Sequence, residues 1–391
     1  MRPLKVFWVM CVVLLLVSSA LPAEAQGSVS APVRRIVVFE GTALNEPARE
    51  ALVRQFGGVV IKRLPLVNGM AVLLPPQAAA ALANMPGVLR VEDDPVVYAL
   101  GKPPKTPPPQ PQEMLPWGVD RIDADLAWGV SRGTGIKVAV LDTGIDLDHP
   151  DLKGNVKGGY NAINPRKSYN DDNGHGTHVA GIIAALDNEI GVVGVAPEAS
   201  LYAVKVLDSR GTGFVSDIIE GLDWAMQNGM QVVNMSLGGG GTTSFHEAIT
   251  RAYEAGIVLV AAAGNDGTEN SVNYPAAYPE VIAVSATDKN DTLASWSSRG
   301  PEVELAAPGV DILSTWNDGY YRSASGTSMA APHVTGTVAQ VLAAGRASTP
   351  AEVRTLLQST ADDLGTSGFD SWYGYGLVDA EEATTGFQTS P

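Results

Sequence analysis

The chain has 391 residues, 45% of them apolar, which is enough for one large α/β domain with attachments or for about two or three domains. Its formal net charge is −16. Residues 1–100 contain 9 basic and 7 acidic side chains, whereas residues 101–391 contain 17 and 35. Because phosphate groups bind to basic surfaces, this distribution argues against nucleic acids and anionic membranes as partners and is compatible with cation binding.

Residues 1–25 have the pattern of a secretory signal peptide. A basic start is followed by twelve apolar residues, 6–17, and by small residues at a cleavage site that ends at Ala25. Twelve apolar residues fall short of the roughly 20 that a membrane-spanning helix needs, so we expect export and no stable membrane insertion. The one cysteine, Cys11, lies in this segment, and the mature chain is therefore expected to contain no disulfide.

The next segments divide into a small unit and a linker. Residues 26–100 contain alternating apolar runs around two helix-like stretches, 45–56 and 76–85, which predicts a small α+β domain. Residues 101–112 contain six prolines, a density typical of an extended, solvated linker.

Residues 113–386 predict a second, larger domain, followed by a short tail at 387–391. Apolar strands alternate here with helices, and the strands are apolar throughout, as in a doubly wound, mostly parallel sheet that helices cover on both faces. The predicted strands are 136–142, 201–206, 231–236, 257–263 and 281–285. The predicted helices are 175–186, 216–227, 244–255, 328–344 and 349–360.

Three residues stand where a parallel α/β sheet places reactive groups, at strand ends and helix starts. Asp142 ends an apolar strand, His175 begins a helix and Ser328 lies at the head of another. A serine hydroxyl becomes a nucleophile only beside a base, and that base needs an acid to orient it. Taken singly, each residue is more often structural: a turn former, a packed histidine or a helix cap.

His175 and His178 also raise the possibility of a zinc site, because residues three apart lie on one face of a helix. Zinc sites need at least a third protein ligand, and the mature chain offers no cysteine to supply it. The zinc interpretation is therefore disfavoured, and we expect His178 to pack or to form local hydrogen bonds.

Taken together, three motifs resemble the active-site signatures of subtilisin-like serine peptidases. They are DTGID at 142–146 with HPDL at 149–152, HGTHVAG at 175–181 and GTSMAAPHV at 326–334, in the family's order Asp, His, Ser. The resemblance extends from about residue 116 to 377. It implies that Ser328 is the nucleophile, His175 the general base and then acid, and Asp142 the residue that holds the imidazole in one tautomer.

The resemblance also implies an oxyanion site and a substrate cleft. Residues 261–266 resemble the family's oxyanion stretch, in which the Asn265 amide acts beside the Ser328 backbone N–H. Substrates of this family bind by strand addition. The residues implied to line the cleft are Gly211, Thr212, Gly213, Ser236, Leu237, Gly238, Ala262, Ala263 and Gly264. Since they are small or apolar, we expect an aliphatic or aromatic P1 residue. Asn273 stands where many relatives have glycine and is expected to narrow the pocket floor.

A structural calcium ion follows from the same resemblance. The implied ligands are Asp151, Leu186, Asn188, Ile190 and Val192, an all-oxygen set that suits Ca²⁺. Glu113 occupies the position at which the family has a glutamine, and Gln112 precedes it, so the sixth ligand stays open.

The small N-terminal domain resembles the ferredoxin-like pro-domain that assists folding of these peptidases and then inhibits them. Its last residues, 91–100, resemble the segment left in the cleft, which implies self-cleavage after Leu100. The prediction is thus a secreted, monomeric, calcium-stabilised endopeptidase. An α/β-hydrolase esterase is disfavoured because it requires G-x-S-x-G and the order Ser, Asp, His, whereas Ala330 stands two residues after Ser328. A catalytically silent binding protein on the same fold is the other alternative.

Overall fold

A computed structural model describes residues 31–41, 43–100 and 112–389 of the chain. The predicted signal peptide, residues 1–25, lies outside the described residues, and so does all of the predicted linker except Gln112.

The N-terminal part is a small antiparallel sheet with two helices. Its strands are β1 (Val33–Phe39), β2 (Val59–Leu64), β3 (Gly69–Leu74), β4 (Val88–Asp93) and β5 (Val96–Ala99), and its helices are α1 (Glu46–Gln55) and α2 (Ala78–Ala83). The sheet order is β2-β3-β1-β4, and β5 belongs to a different sheet. Val37 and Phe39 of β1 pack with Val53 and Leu82 of the helices, which gives this part an apolar core of its own.

The larger part begins with short helix α3 and contains the remaining elements. Its strands are β6 (Lys137–Asp142), β7 (Val156–Asn161), β8 (Ser200–Lys205), β9 (Thr212–Phe214), β10 (Val232–Met235), β11 (Leu237–Gly239), β12 (Val258–Ala262), β13 (Ile282–Thr287), β14 (Val303–Pro308), β15 (Ile312–Thr315) and β16 (Tyr321–Ala324). Its helices are α3 (Trp117–Arg121), α4 (His175–Ala184), α5 (Val215–Gln227), α6 (Thr243–Glu254), α7 (Thr327–Ala343), α8 (Pro350–Ser359) and α9 (Ala380–Thr385).

Seven of these strands form one parallel sheet in the order β14-β13-β12-β10-β6-β8-β7. Side chains alternate across β6: Val138 and Val140 join the core beneath α4 and α7, while Ala139 and Leu141 join the core beneath α5 and α6. Helices therefore cover both faces, which explains why β6 is apolar between its end residues, Lys137 and Asp142. The predicted doubly wound α/β fold with a small α+β unit before it is confirmed.

The two parts pack together, since the described residues from Pro32 onward belong to one compact unit. Ile36 and Val38 of β1 share an apolar core with Ile218 of α5 and Ile249 of α6. Among the described residues, no helix is long and apolar enough to cross a membrane.

Candidate active site

The fold brings the ends of three strands together at one edge of the parallel sheet. Asp142 is the last residue of β6, Ser236 directly follows β10, and Asn265 follows β12. These strands are neighbours in the sheet, so their carboxyl ends lie side by side. The starts of α4 and α7 supply His175 and Ser328.

Asp142 and His175 form a buried hydrogen-bonded pair. The His175 Nδ1 lies 2.8 Å from the Asp142 Oδ1, which also accepts a 2.7 Å hydrogen bond from the Thr143 N–H. Burial lowers the pKa of His175, but the charge and hydrogen bond of Asp142 and the charge of Asp171 outweigh burial and raise the pKa above its ordinary value. Because Nδ1 binds the carboxylate, the other ring nitrogen, Nε2, is left to exchange a proton.

Ser328 is fully buried at the head of α7, and its Oγ donates a 3.0 Å hydrogen bond to the Ser236 carbonyl. The His175 Nε2 is buried and has no hydrogen-bond partner among the described residues. The structure therefore joins the acid to the base, while the hydroxyl points to a backbone carbonyl. Catalytic hydrogen bonds of this kind often tighten only when substrate is bound and reacting.

The side-chain amide of Asn265 forms a hydrogen bond to the carbonyl oxygen of Leu100. Its Nδ2 donates a 2.6 Å hydrogen bond to the Leu100 carbonyl, while its Oδ1 accepts from the Thr327 N–H at 3.0 Å and the Thr327 hydroxyl at 2.9 Å. Since both Thr327 groups are donors, they fix which end of the amide faces Leu100. This role of Thr327 could not be predicted from the sequence, although Thr327 directly precedes Ser328 in the GTSMAAPHV motif.

The last strand of the N-terminal part lies in the cleft of the larger part. β5 pairs antiparallel with both β9 and β11, so it is the middle strand of a three-stranded sheet. The Ala99 N–H donates to the Gly211 carbonyl at 2.9 Å, and the Leu100 N–H donates to the Ser236 carbonyl at 3.4 Å. This is the strand addition by which a foreign peptide binds to a sheet edge.

The Leu100 side chain lies over a pocket formed by small residues. A Cβ atom on Gly238 would stand 2.8 Å from the Leu100 Cδ1 and 2.9 Å from the Asn273 Cβ. A Cβ atom on Gly264 would stand 2.5 Å from the Asn273 Nδ2, so the Asn273 side chain lies against both glycines. Thr212 and Gly213 pair with β5 on one side of the cleft and Leu237 on the other, and Ala262 and Ala263 are buried where β12 ends.

Comparison of the chain with known proteins identifies the family to which it belongs. A model described as the Subtilase family matches residues 133–376, which is more than half of the chain. The chain belongs to this family. It is 43% identical over 373 residues to subtilisin E of Bacillus subtilis (strain 168), covering 93% of this chain and 94% of that protein.

Two further relatives match the larger part of the subtilase chain. Subtilisin DY of Bacillus licheniformis is 48% identical over 69% of this chain and 99% of its own length. Minor extracellular protease Epr of Bacillus subtilis (strain 168) is 47% identical over 69% of this chain and 42% of its own length.

The subtilase is a subtilisin-like serine endopeptidase, and its substrates are polypeptides. The predicted enzyme class and reaction are thereby confirmed. The comparisons give no support to the esterase or to the silent binding protein.

The predicted calcium residues of the subtilase meet in the loop after α4. The Asp151 carboxylate is buried and accepts from the Asn188 Nδ2 at 2.7 Å and the Val192 N–H at 3.1 Å. Glu113 accepts a hydrogen bond from the Asn188 N–H, and Asn188 Oδ1 accepts one from the Ile190 N–H at 2.7 Å. Burial raises the pKa of Asp151 to about 6 and raises the pKa of Glu113 as well.

This arrangement fits a hard cation only if backbone oxygens take part. In the described part of the subtilase, no group of three or more His, Cys, Asp or Glu side chains is placed to hold a metal ion. Here two carboxylates, Asp151 and Glu113, lie near each other, and neither forms an ion pair with a basic side chain of the described residues. The remaining ligands would be carbonyl and amide oxygens, as suits Ca²⁺.

His178 of the subtilase is a buried structural histidine. Its Nε2 lies 3.0 Å from the Ile312 carbonyl and 2.9 Å from the Arg322 carbonyl, so it connects α4 to the β15–β16 hairpin. Burial lowers its pKa to about 3, which keeps the ring neutral. The sequence predicts that His178 packs or forms local hydrogen bonds; the ring is packed, edge-on to Trp316, but its hydrogen-bond partners are distant in the chain.

Proposed function

We propose that this endopeptidase is a self-processing precursor whose catalytic groups are Asp142, His175, Ser328 and Asn265. One observation carries the proposal: the Leu100 carbonyl accepts a hydrogen bond from the Asn265 amide while β5 lies between two strands of the larger part. A chain seated in this way presents the bond after Leu100 to the Ser328 hydroxyl.

The proposed reaction follows from the positions of the polar atoms. The Ser328 Oγ attacks the Leu100 carbonyl carbon, and the His175 Nε2 accepts the hydroxyl proton. Negative charge then develops on the Leu100 oxygen, which the Asn265 amide and the Ser328 N–H stabilise. The C–N bond breaks, His175 returns the proton to the amine of Gly101, and water hydrolyses the acyl-enzyme by the same steps. Asp142 holds the imidazole and stabilises its charged form.

We further propose that residues 26–100 inhibit the peptidase after cleavage. Asp94 accepts hydrogen bonds from the Ser216 N–H at 2.9 Å and the Ser216 hydroxyl at 2.8 Å, which caps the start of α5. Glu92 accepts from the Ser244 N–H at 3.0 Å, near the start of α6. None of these contacts uses the bond after Leu100, so cleavage leaves them intact.

Ion pairs extend the same interface. The Lys62 ammonium lies 2.8 Å from the Glu220 carboxylate and also pairs with Asp217, both on α5. The Lys62 side chain is only 12% exposed, so water screens these pairs weakly. The acidic larger part thus binds basic side chains of its own pro-domain.

We also propose that the peptidase is secreted and that it is a monomer. The signal-peptide pattern of residues 1–25 supports secretion, and one relative of similar sequence is described as extracellular.

The cleavage position and side-chain preference can be tested together. We expect the mature protein to begin at Gly101 or within the proline-rich segment after it, as measured by N-terminal sequencing. Because the apolar Leu100 side chain lies against Gly238 and the uncharged Asn273 side chain, a peptide library should be cut after Leu or Phe about tenfold or more faster than after Asp or Lys. A preference for a charged P1 residue would contradict the assigned pocket.

We also propose that the peptidase binds a structural calcium ion through Asp151, Asn188 and the carbonyls of Leu186, Ile190 and Val192, with Glu113 as the candidate for the last ligand. The bound ion supplies positive charge that holds this loop against Asp151. The chain's own contribution is the buried carboxylate and the loop that surrounds it.

Calcium should stabilise the folded chain measurably. In a Ser328→Ala background, which prevents self-digestion, excess calcium should raise the unfolding temperature by about 10 °C, the shift expected from about 4 kcal/mol of binding. The increment should disappear in Asp151→Asn and persist in Asp148→Asn, which removes an exposed carboxylate three residues earlier in the chain. Equal calcium increments in the two variants, by calorimetry, would remove Asp151 from the site.

A further inference from the structure

Asp171, in the loop before α4, is a buried carboxylate that the proposed reaction does not use. It is 3% exposed and forms no ion pair with any basic side chain of the described residues. Its Oδ1 accepts from the Thr143 hydroxyl at 2.8 Å, the Asn173 N–H at 2.9 Å and the Gly174 N–H at 3.0 Å. Its Oδ2 accepts from the Thr177 hydroxyl at 2.6 Å and N–H at 3.0 Å. A buried charge with five donors is fully satisfied but has no counter-ion.

These five bonds join the two segments that carry the acid and the base. Thr143 directly follows Asp142 in the chain, and Gly174 directly precedes His175. The Thr143 hydroxyl also accepts from the Gly176 N–H at 2.9 Å, so a single hydroxyl links Asp171 to both segments.

The two segments approach so closely that their separation depends on these bonds. A Cβ atom on Gly176 would stand 2.1 Å from the Gly144 carbonyl oxygen and 3.0 Å from the Asp142 Cβ. Only glycine fits between the turn after β6 and the first turn of α4. With no side chain to pack between them, hydrogen bonds set the distance from the Asp142 carboxylate to the imidazole.

We propose that Asp171 is a positioning residue of this peptidase, which sets the Asp142–His175 geometry and favours the charged imidazole that forms during the reaction. The proposal rests on the proposed catalytic roles of Asp142 and His175. Asp171 acts through its five donors and through its negative charge. It does not contact the substrate.

Titratable groups on β6, on α4 and in the loop before α4 lie near the His175 imidazole. Asp142 and Asp171 both raise the pKa of His175, whereas burial lowers it. His178, one turn along α4, is neutral because burial lowers its pKa to about 3. Asp172 lies next in the chain, but its side chain is 57% exposed and pairs with the buried Lys205 ammonium.

Asp171→Asn tests the proposal because it keeps the shape, removes the charge and replaces one of the two accepting oxygens with a donor, which breaks at least the hydrogen bond from a backbone N–H on that side. The pH dependence of kcat/KM reports the pKa of the free base, and the neutral imidazole is the active form, so activity rises with pH through that pKa. Without the Asp171 charge this pKa should fall, so the rise of kcat/KM with pH should begin at a lower pH. With rates counted per active site by an acylating inhibitor, kcat should fall about tenfold and KM should change less than twofold.

Asp172→Asn is the matched control, since it removes an adjacent carboxylate that reaches the Thr143 segment only through the Lys205 ammonium, which lies 2.6 Å from the Thr143 carbonyl oxygen. The pH at which kcat/KM rises, which we call the acid limb, should move less than half as far in Asp172→Asn as in Asp171→Asn. Equal shifts in the two variants, or an unmoved limb in Asp171→Asn with wild-type kcat, would overturn the proposal.

A second pair of variants applies if Asp171→Asn does not fold. Thr143→Val removes the linking hydroxyl and should lower kcat with little change in KM, whereas Thr143→Ser keeps the hydroxyl and should restore kcat. Equal activity of the two Thr143 variants would overturn the proposal. Retained activity in Ser328→Ala would instead refute the catalytic roles themselves, and this inference with them.

Discussion

The Ser328→Ala chain should accumulate as an uncleaved precursor. Removing the nucleophilic oxygen should lower peptide hydrolysis by about 10⁶-fold, a magnitude that was measured on a subtilisin. The fold should survive, because among the described residues the lost hydroxyl makes one hydrogen bond, to the Ser236 carbonyl, which the Leu100 N–H also approaches. The measurements are the intact mass and the N-terminal sequence of the purified protein. In the wild type, residues 26–100 should no longer be joined to the peptidase by a peptide bond, whereas in the variant they should remain part of the same chain.

Ser323→Ala is the control for this experiment, because Ser323 is exposed on β16, five residues earlier in the chain. It should mature like the wild type. If Ser328→Ala also matures normally, and at the same bond, another peptidase does the cutting and self-processing is refuted. If the variant keeps wild-type activity toward peptides, Ser328 is not the nucleophile.

The central strands of the sheet could be predicted from the sequence, and the edge strands could not. β6, β10 and β12 are covered on both faces, so β12 is apolar throughout, β6 is apolar from Val138 to Leu141, and β10 is apolar except for the buried Asn234. β7 lies at one edge with the sequence VKGGYN, and β14 lies at the other with VELAAP. Two glycines and a lysine in β7, and a glutamate and a proline in β14, remove the apolar run on which the prediction depends.

The site was predictable only where residue type reveals chemistry. Asp142, His175 and Ser328 belong to motifs, and Asn265 follows an apolar strand. Asp171 and Thr327 do not reveal their roles in this way, because their partners include backbone N–H groups and side chains brought near by the fold. The His175 Nε2 likewise has no hydrogen-bond partner among the described residues. This depends on how the side chains are oriented, which no pattern in the sequence predicts.

Asn265→Leu should lower kcat by about 10²–10³-fold, or about 2.7–4 kcal/mol, a range that was also measured on a subtilisin. The reason lies in the 2.6 Å contact from Asn265 to the Leu100 carbonyl. A peptide carbonyl carries partial charge, and the tetrahedral intermediate carries a full one, so the same donor binds the intermediate more tightly than the substrate. KM should therefore change little. Steady-state rates on a peptide with leucine at P1, counted per active site, give both constants.

A second substitution separates this electrostatic effect from a structural one. Leucine removes the acceptor for the Thr327 N–H and hydroxyl along with the donor to the carbonyl, so Asn265→Leu also leaves buried donors unpaired. Asn265→Asp keeps an oxygen for Thr327 and lacks the donor, so it should lose activity at least as severely while unfolding at nearly the wild-type temperature. Wild-type turnover in both variants would exclude Asn265 from the reaction. Loss in the leucine variant alone would mean that Asn265 acts by supporting Thr327, because the aspartate retains that contact and nothing else of the amide's chemistry.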